Sequence, residues 1–589
     1  MDVTKGDGAG PDAVRPPTGV APAADGTDRD QRPAITQRRL RLGVAGRLID
    51  RWLGLPPART REVWLARDLA VPMSDGVVLL ADRHRPAAGT GPMPVILIRS
   101  PYGRVPPYTS LFVGPFVRRG FQVVIQSVRG TFGSGGQFHP FRNETSDGLD
   151  TAAWLRAQPW CDGRIAMAGV SYLGYAQWAL APYLEPPLTV LGVALAGSRF
   201  DLGHLTGGSF PLHTALSWSA LLGRQERSLL VGMLPNPLRT RQELRAMRRI
   251  PLRDAVVHAV GQPVQAWDDL INHEKSDDDY WAHTNHSPAV SAVTAPVSMV
   301  SAWYDPFLPQ QLDDFRSLVD AGRPVRISIG PWGHGDALAA RAAVVDQVEW
   351  LSRYLLDGND RPVRHPVRVF LQRSGRWLRF RHWPPRSCRP TPIYLQPDGA
   401  LDWRTPTDSE PDRFTYRPED PTPAVGGPLI TGANKQRINW ALEGRPDVLV
   451  YTGQPLRDDL DLVGEVSAVI HLRADPAHAD VFVRLCDVDR AGVSRNVCDG
   501  ILRMRPGVPE PDPDGSVTAT VSMWPTGYRF HRGHRLRIQV SGGAFPRFPR
   551  NHGTGAEVAT AVRTRPARFA IRHDPSHPSR VILPVLPDL

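Results

Sequence analysis

A serine, an aspartate and a histidine stand in this chain where they can act on one another. Ser171 lies in Gly169-Val170-Ser171-Tyr172-Leu173-Gly174, a G-x-S-x-x-G pattern one residue off the G-x-S-x-G of a nucleophile elbow. Glycine-serine patterns of this length arise by chance, so the flanks decide. "GRIAMAGV" (163–170) before the serine reads as a buried strand, and "YLGYAQWALAPYL" after it is helical. A strand-to-helix turn of this kind lifts the serine out at the carboxyl edge of a sheet. Its hydroxyl is a poor nucleophile unless a base takes the proton, and the base needs an acid to orient it. Asp305 closes the strand "SMVSAWYD", and His334 follows the next strand in "ISIGPWGHGD". Serine, aspartate, histidine, each just past a strand, is the order such an elbow requires. Asp336 is a rival acid, but two residues from His334 it reaches an imidazole edge poorly. Asp313 and Asp314 read as solvated residues of a helix.

Acyl chemistry also needs donors for a developing oxyanion. One is the backbone N–H of Tyr172, next to the serine. The loop after the strand "PVILIRS" (94–100) should hold the other, and it reads "RSPYGR". With no glycine-rich donor run there, Tyr102 is the candidate through its phenol, against the reading that it only packs the loop. Phe307, Trp178, Trp218 and Trp332, with Phe210 and Trp303, are candidate pocket aromatics or simply core.

The elements that must position these residues follow from the patterning. Short apolar strands alternate with helical stretches from about 62 to 199 and again over 293–360, which argues a parallel sheet with helices on both faces. The helix expected over 146–160 starts on a capping Ser146 or Asp147. Residues 200–292 read as a helical insertion that caps the sheet's ligand edge. Over 361–589, period-2 stretches separated by Pro, Gly and Asp turns argue an all-β domain of jelly-roll type. Residues 1–36 read as a disordered tail. Residues 37–61 hold a basic amphipathic helix, open to docking on the protein or lying on a membrane.

Composition sets outer bounds. A chain of 589 residues exceeds one core, and 41% hydrophobic with 22% charged residues describes a globular protein. No run of 18 apolar residues offers a membrane span. The net charge of +11 is not a nucleic-acid signature: Lys5, Lys275 and Lys435 are the only lysines, and the arginines are spread along the chain. Cys161, Cys388, Cys486 and Cys498 fit neither a metal-ligand spacing nor a disulfide framework. Neither metal nor organic cofactor is expected, and the default location is the cytoplasm.

Five motifs in order resemble the cocaine esterase / X-Pro dipeptidyl-peptidase family of serine hydrolases. They are Arg99-x-Pro101-Tyr102, "VRGTFGSGGQF" (128–138), the serine motif, Trp303-Tyr304-Asp305-x-Phe307 and Gly330-Pro331-Trp332-x-His334. "RLCDVDRAGVSRNVCDGILR" (484–503) and "GGAFPRFPRNHGTG" (542–555) are similar to its jelly-roll domain. The resemblance implies an α/β-hydrolase core with Ser171, Asp305 and His334 as triad. It also implies Tyr102 and the Tyr172 amide as oxyanion hole and Phe307 as a wall of the acyl pocket. Two departures stand out. Ser127 replaces the family's usual aspartate, which leaves Arg129 without its usual partner. Phe307 and Leu308 replace the Glu-Asp pair of the family's α-amino-acid ester hydrolases. No large N-terminal helical domain of the X-Pro peptidase kind precedes the core.

The reading is a serine hydrolase acting on small ester or amide substrates through an acyl-enzyme, with no nucleic-acid partner, no stable membrane insertion, and self-association left open. Its alternatives are an acyltransferase or X-Pro-type peptidase on the same triad, or a catalytically silent binding protein.

Overall fold

The computed structural model describes residues 37–41, 43–89, 91–106, 108–200, 207–225, 236–275, 278–358, 363–432 and 434–587. The tail expected over 1–36 lies outside them. An 11-stranded sheet runs through the first half of the chain. Its strands are β1 (Gln37–Arg41), β2 (Glu62–Pro72), β3 (Val78–Pro86), β4 (Met93–Ser100), β5 (Gln122–Ser127) and β6 (Cys161–Val170). They continue with β7 (Leu191–Ala194), β8 (Val297–Tyr304), β9 (Val325–Gly333), β10 (Val367–Leu371) and β11 (Arg376–Phe380). The spatial order is β1-β2-β3-β5-β4-β6-β7-β8-β9-β10-β11. From β5 to β10 every pairing is parallel. Every residue of β5, β7 and β8 is buried, as expected of strands covered on both faces.

Helix α1 (Val44–Leu53) precedes β2, and α2 (Tyr108–Phe112) follows β4. Helix α3 (Glu144–Arg156) precedes β6, and α4 (Tyr172–Trp178) follows it. The insertion between β7 and β8 is helical, with α5 (Leu212–Gln225), α6 (Pro237–Met247), α7 (Ala255–Val260) and α8 (Gln265–Asn272). Helices α9 (Leu308–Asp320) and α10 (Ala337–Leu355) flank β9. A 12-stranded antiparallel-rich sheet follows, between Arg389–Leu395 and Arg580–Leu586.

The fold is an α/β-hydrolase core with a helical cap insertion and a C-terminal β domain. One apolar cluster runs from Ala66 in β2, under the first sheet, to Leu586 in the β domain. A second joins the other sheet face to the cap, and it includes Ile430 and Phe545 of the β domain. The two parts therefore share cores. Among the described residues no helix is long and apolar enough to cross a membrane.

Three expectations shift. β10 and β11 fall in the stretch assigned to the β domain, yet β10 pairs with β9 in the first sheet. Period-2 patterning identifies a strand without saying which sheet receives it. Within 37–61, Gln37–Arg41 is an antiparallel edge strand on β2, and only the following decapeptide is helical. The helix expected from Ser146 begins at Glu144, with Asn143 at its N-cap and no side-chain cap bond.

Candidate active site

The chain turns sharply between β6 and α4, and Ser171 sits at the bend with φ 60° and ψ −124°. A side chain held at positive φ is strained, so the surroundings must fix it. The Ser171 N–H donates to the Ala194 carbonyl of β7 at 2.9 Å, and the Ser171 carbonyl accepts from the amides of Gly174 and Tyr175. The two glycines of the motif permit the turn by their lack of a side chain. A Cβ on Gly169 would meet Leu173 Cβ at 2.3 Å, and one on Gly174 would meet Ala196 Cβ at 2.7 Å. Strand, helix and neighbouring strand could not approach this closely otherwise.

Asp305 follows β8, two strands along the sheet from β6, and His334 follows β9, the strand beside β8. His334 Nε2 lies 2.9 Å from Ser171 Oγ, and His334 Nδ1 lies 2.7 Å from Asp305 Oδ2. Asp305 is 0% exposed, and its other oxygen accepts the Phe307 N–H at 2.7 Å. A carboxylate held on both oxygens orients the imidazole in one position, with its other nitrogen on the serine. The rival acid is occupied elsewhere: Asp336 accepts the Gly333 N–H at 2.8 Å and pairs with Lys435 at 2.5 Å.

Tyr102 follows β4, beside β6, and its ring is buried. The Trp218 indole N–H donates to the Tyr102 oxygen at 3.1 Å, which leaves the phenolic proton free to point elsewhere. Burial pushes the Tyr102 phenol up to about 12, with contacts from Trp218 and the Ser171 hydroxyl pulling the other way. It therefore stays a donor at any working pH. The Tyr172 amide, first in α4, has no intrahelical acceptor, and Tyr172 lines the same pocket as Tyr102 and Ser171. Two donors and a hydroxyl in reach of a base are what stabilising a tetrahedral oxyanion requires.

A tight pocket lies at the serine. Its walls come from the core (Phe141, Tyr175, Phe307), the cap (Phe200, Trp218, Leu270) and the β domain (Ile430). Of the anticipated aromatics, Trp218 and Phe307 line it; the others do not. Trp178 is wholly buried in the apolar cluster on the opposite side of the sheet, because α4 turns Tyr172 and Tyr175 toward the pocket and Trp178 away. Trp332 folds over Gly330 and packs on Trp377, with ring centroids 6.1 Å apart. Trp303 donates to the Phe370 carbonyl at 2.7 Å, and Phe210 packs on Trp267. No acidic residue lines the pocket among the described residues. Asp201, an acid close enough in sequence to reach the site, lies outside them.

Other expectations also change. Arg129 does have partners: Asp147 takes its Nη2 at 2.6 Å and Asp75 its Nη1 at 2.7 Å. Ser127 instead accepts from Arg104 at 2.6 Å. Asp147 and Glu144 on α3 also face the buried Arg99, and Glu144 accepts the Tyr172 phenol proton at 2.7 Å. Burial pushes the Glu144 carboxyl up, opposed by the Arg99 guanidinium and the Tyr172 hydroxyl. This network braces Tyr172, the residue after the serine. Asp314 is not solvated; it is 1% exposed and accepts the Ser198 N–H at 2.8 Å.

Sequence reading missed the supports from the β domain. The Trp524 indole N–H donates to the Asp305 carbonyl at 3.0 Å, and Lys435 holds Asp336 beside His334. The signal is absent because those residues lie 99 and 219 positions from their partners, in segments of different texture. Among the described residues no three His, Cys, Asp or Glu side chains stand together as a metal site.

Comparison with known proteins finds relatives along most of the chain. Residues 75–336 match the X-Pro dipeptidyl-peptidase (S15 family) domain, and residues 362–582 match the X-Pro dipeptidyl-peptidase C-terminal non-catalytic domain. The cocaine esterase of Rhodococcus sp. (strain MB1 Bresler) is 30% identical over 575 residues, covering 89% of this chain and 98% of that protein. An aminopeptidase from the marine sediment archaeon Thaumarchaeota archaeon superposes with TM-score 0.73 at 20% identity, over 89% of this chain and 96% of that one. An α-amino acid ester hydrolase superposes with TM-score 0.68 at 21% identity, with the same coverage. At such identities the two structures speak to the fold alone. Identity to the esterase along nearly its whole length is a stronger statement: this chain belongs to the cocaine esterase / X-Pro dipeptidyl-peptidase (S15) family and is a serine hydrolase.

Proposed function

We propose that the enzyme cleaves carboxylic esters or amides through an acyl-enzyme formed on Ser171. The observation that carries this reading is the closed relay from Asp305 through His334 to Ser171, at 2.7 and 2.9 Å, at the mouth of an aromatic pocket. His334 takes the serine proton as Oγ attacks the carbonyl carbon, and then delivers it to the leaving alcohol or amine. Asp305 holds the imidazole and balances its transient charge. Tyr102 and the Tyr172 N–H bind the oxyanion. Water, activated by the same imidazole, releases the acid. Walls of Phe141, Phe200, Trp218 and Phe307 favour an aryl or alkyl acyl group.

The acyltransferase, X-Pro peptidase and silent binding readings start from the same serine, and no feature of the pocket favours any of them. The domain division belongs to the proposal: core over 62–199 and 293–360, now with β10 and β11 added, cap over 200–292, and the remainder as a β-sandwich of jelly-roll type. So does a cytoplasmic place of action. A fluorophosphonate probe should label wild-type enzyme at Ser171 and leave Ser171→Ala unlabelled. A panel of acyl esters should then show turnover rising with an apolar acyl group. An unlabelled wild type would overturn the catalytic reading.

A further inference from the structure

Helix α1 shows two different faces. One docks on the core: Leu53 is buried, Ile49 and Leu55 pack against the apolar cluster, and Asp50 accepts from Arg118 at 2.7 Å and Arg119 at 3.2 Å. Gly54, left-handed at φ 69°, closes the helix. The opposite face lies in solvent. Val44 is 62% exposed, Leu48 62% and Trp52 42%. At spacings of four residues these three form one stripe. A globular protein normally turns such a stripe inward, but here the inward positions are already taken.

Beside the stripe lies a basic groove. Arg41, Arg47, Arg51 and Arg61 line it together with Arg118 and Arg119, and Asp50 is its only carboxylate among the described residues. Asp50 is engaged by Arg118 and Arg119. Arg41, Arg47, Arg51 and Arg61 are exposed and make no ion pair among the described residues. Arg47 and Arg51 follow Val44 and Leu48 by three residues, so the charge flanks the apolar stripe on the helix surface.

We propose that this surface docks the enzyme on an anionic lipid bilayer. Leu48, Val44 and the Trp52 ring enter the boundary between headgroups and acyl chains, and the guanidinium groups meet lipid phosphates. Both halves of the patch are needed for that partner. A nucleic acid would engage the arginines and leave the apolar stripe in water. A second copy paired about a two-fold axis would set the same arginine cluster against itself. The docked inner face makes the contact a rigid one, offered by a helix already held in place.

The test is co-sedimentation of the full chain with two kinds of vesicle, phosphatidylcholine alone and phosphatidylcholine with about 30 mol % phosphatidylserine. The wild type should bind the anionic vesicles in a salt-sensitive way and bind phosphatidylcholine weakly. Arg47→Glu with Arg51→Glu, and separately Leu48→Glu with Trp52→Glu, should each lower partitioning about tenfold or more. Circular dichroism, thermal unfolding and turnover of a water-soluble ester should stay unchanged, which separates a lost surface from a lost fold. Wild type remaining in the supernatant with anionic vesicles overturns the proposal, as do double variants that bind like wild type. Concentration-dependent dimerisation abolished by Leu48→Glu with Trp52→Glu, without vesicle binding, would assign the face to a second copy. Retention of duplex DNA without vesicle binding would assign it to nucleic acid.

Discussion

The catalytic relay and the acyl pocket touch at Ser171 but are built in different ways. Ser171, Asp305, His334 and Tyr102 all leave the carboxyl ends of parallel strands in one sheet, where strand spacing of about 4.8 Å sets their separations. The pocket has no such frame. Phe141 comes from a loop of the core, Phe200 from the start of the cap, Trp218 and Leu270 from cap helices, and Ile430 from the β domain. In the function proposed above, chemistry rests on the ends of one sheet and selectivity on packing between elements. Substitution in the walls can move substrate preference without moving the relay.

The largest effects should fall on the relay. Ser171→Ala and His334→Ala should each lower kcat by several orders of magnitude, about 10⁴-fold or more, since the members act as a unit. Thermal unfolding should still report a folded protein. Residual turnover above a few per cent, free of contaminant, would remove Ser171 from the mechanism.

Tyr102→Phe should lower kcat by about 100- to 1000-fold while KM moves little, because its hydrogen bond strengthens mainly in the transition state. A change confined to KM would make Tyr102 a pocket residue and break the division between the two regions.

The pocket should show itself in a smaller ratio. An α-ammonium entering walls without a carboxylate is left unpaired. We expect kcat/KM for a phenylacetyl ester to exceed that for the matching phenylglycyl ester by about tenfold at pH 7, or about 1.4 kcal/mol. A preference for the phenylglycyl ester would mean that an acid reaches the site.

Trp524→Phe removes one hydrogen bond to the Asp305 carbonyl, so unfolding should report about 1 kcal/mol of lost stability and kcat/KM should fall as Asp305 loosens. No change would show that the β domain merely abuts the relay.

Asp314 should leave turnover untouched. Burial pushes its carboxyl up to about 7 from an ordinary 3.8, with the Ser198 hydroxyl and amide opposing. The folded chain therefore keeps a proton that the unfolded chain has released between those values. This group's contribution to stability is present below about pH 4, declines as pH rises toward 7, and is level above. Asp314→Asn should remove that slope. Urea unfolding from pH 4 to 8 should show wild type losing up to about 4 kcal/mol relative to the variant. Parallel curves would mean the carboxyl is ionised throughout.

What the sequence by itself determined is the order in which a serine, an aspartate and a histidine follow strands of one sheet. Strand texture before Ser171, Asp305 and His334 is a local property, and parallel strands ending at one edge bring their following residues together wherever they lie in the chain. The fold class was legible for the same reason, since alternation of strands and helices is written residue by residue. Only the tertiary structure decided the pocket. Trp178 and Trp218 are alike as sequence, and an aromatic suits a core as well as a wall; which it joins depends on the face its helix turns inward. The partners of Arg129, the burial of Asp314 and the reach of Trp524 to Asp305 arise where separate segments dock. Such contacts join residues that no local period relates, and it is packing of whole elements, driven by burial of their apolar faces, that brings them together.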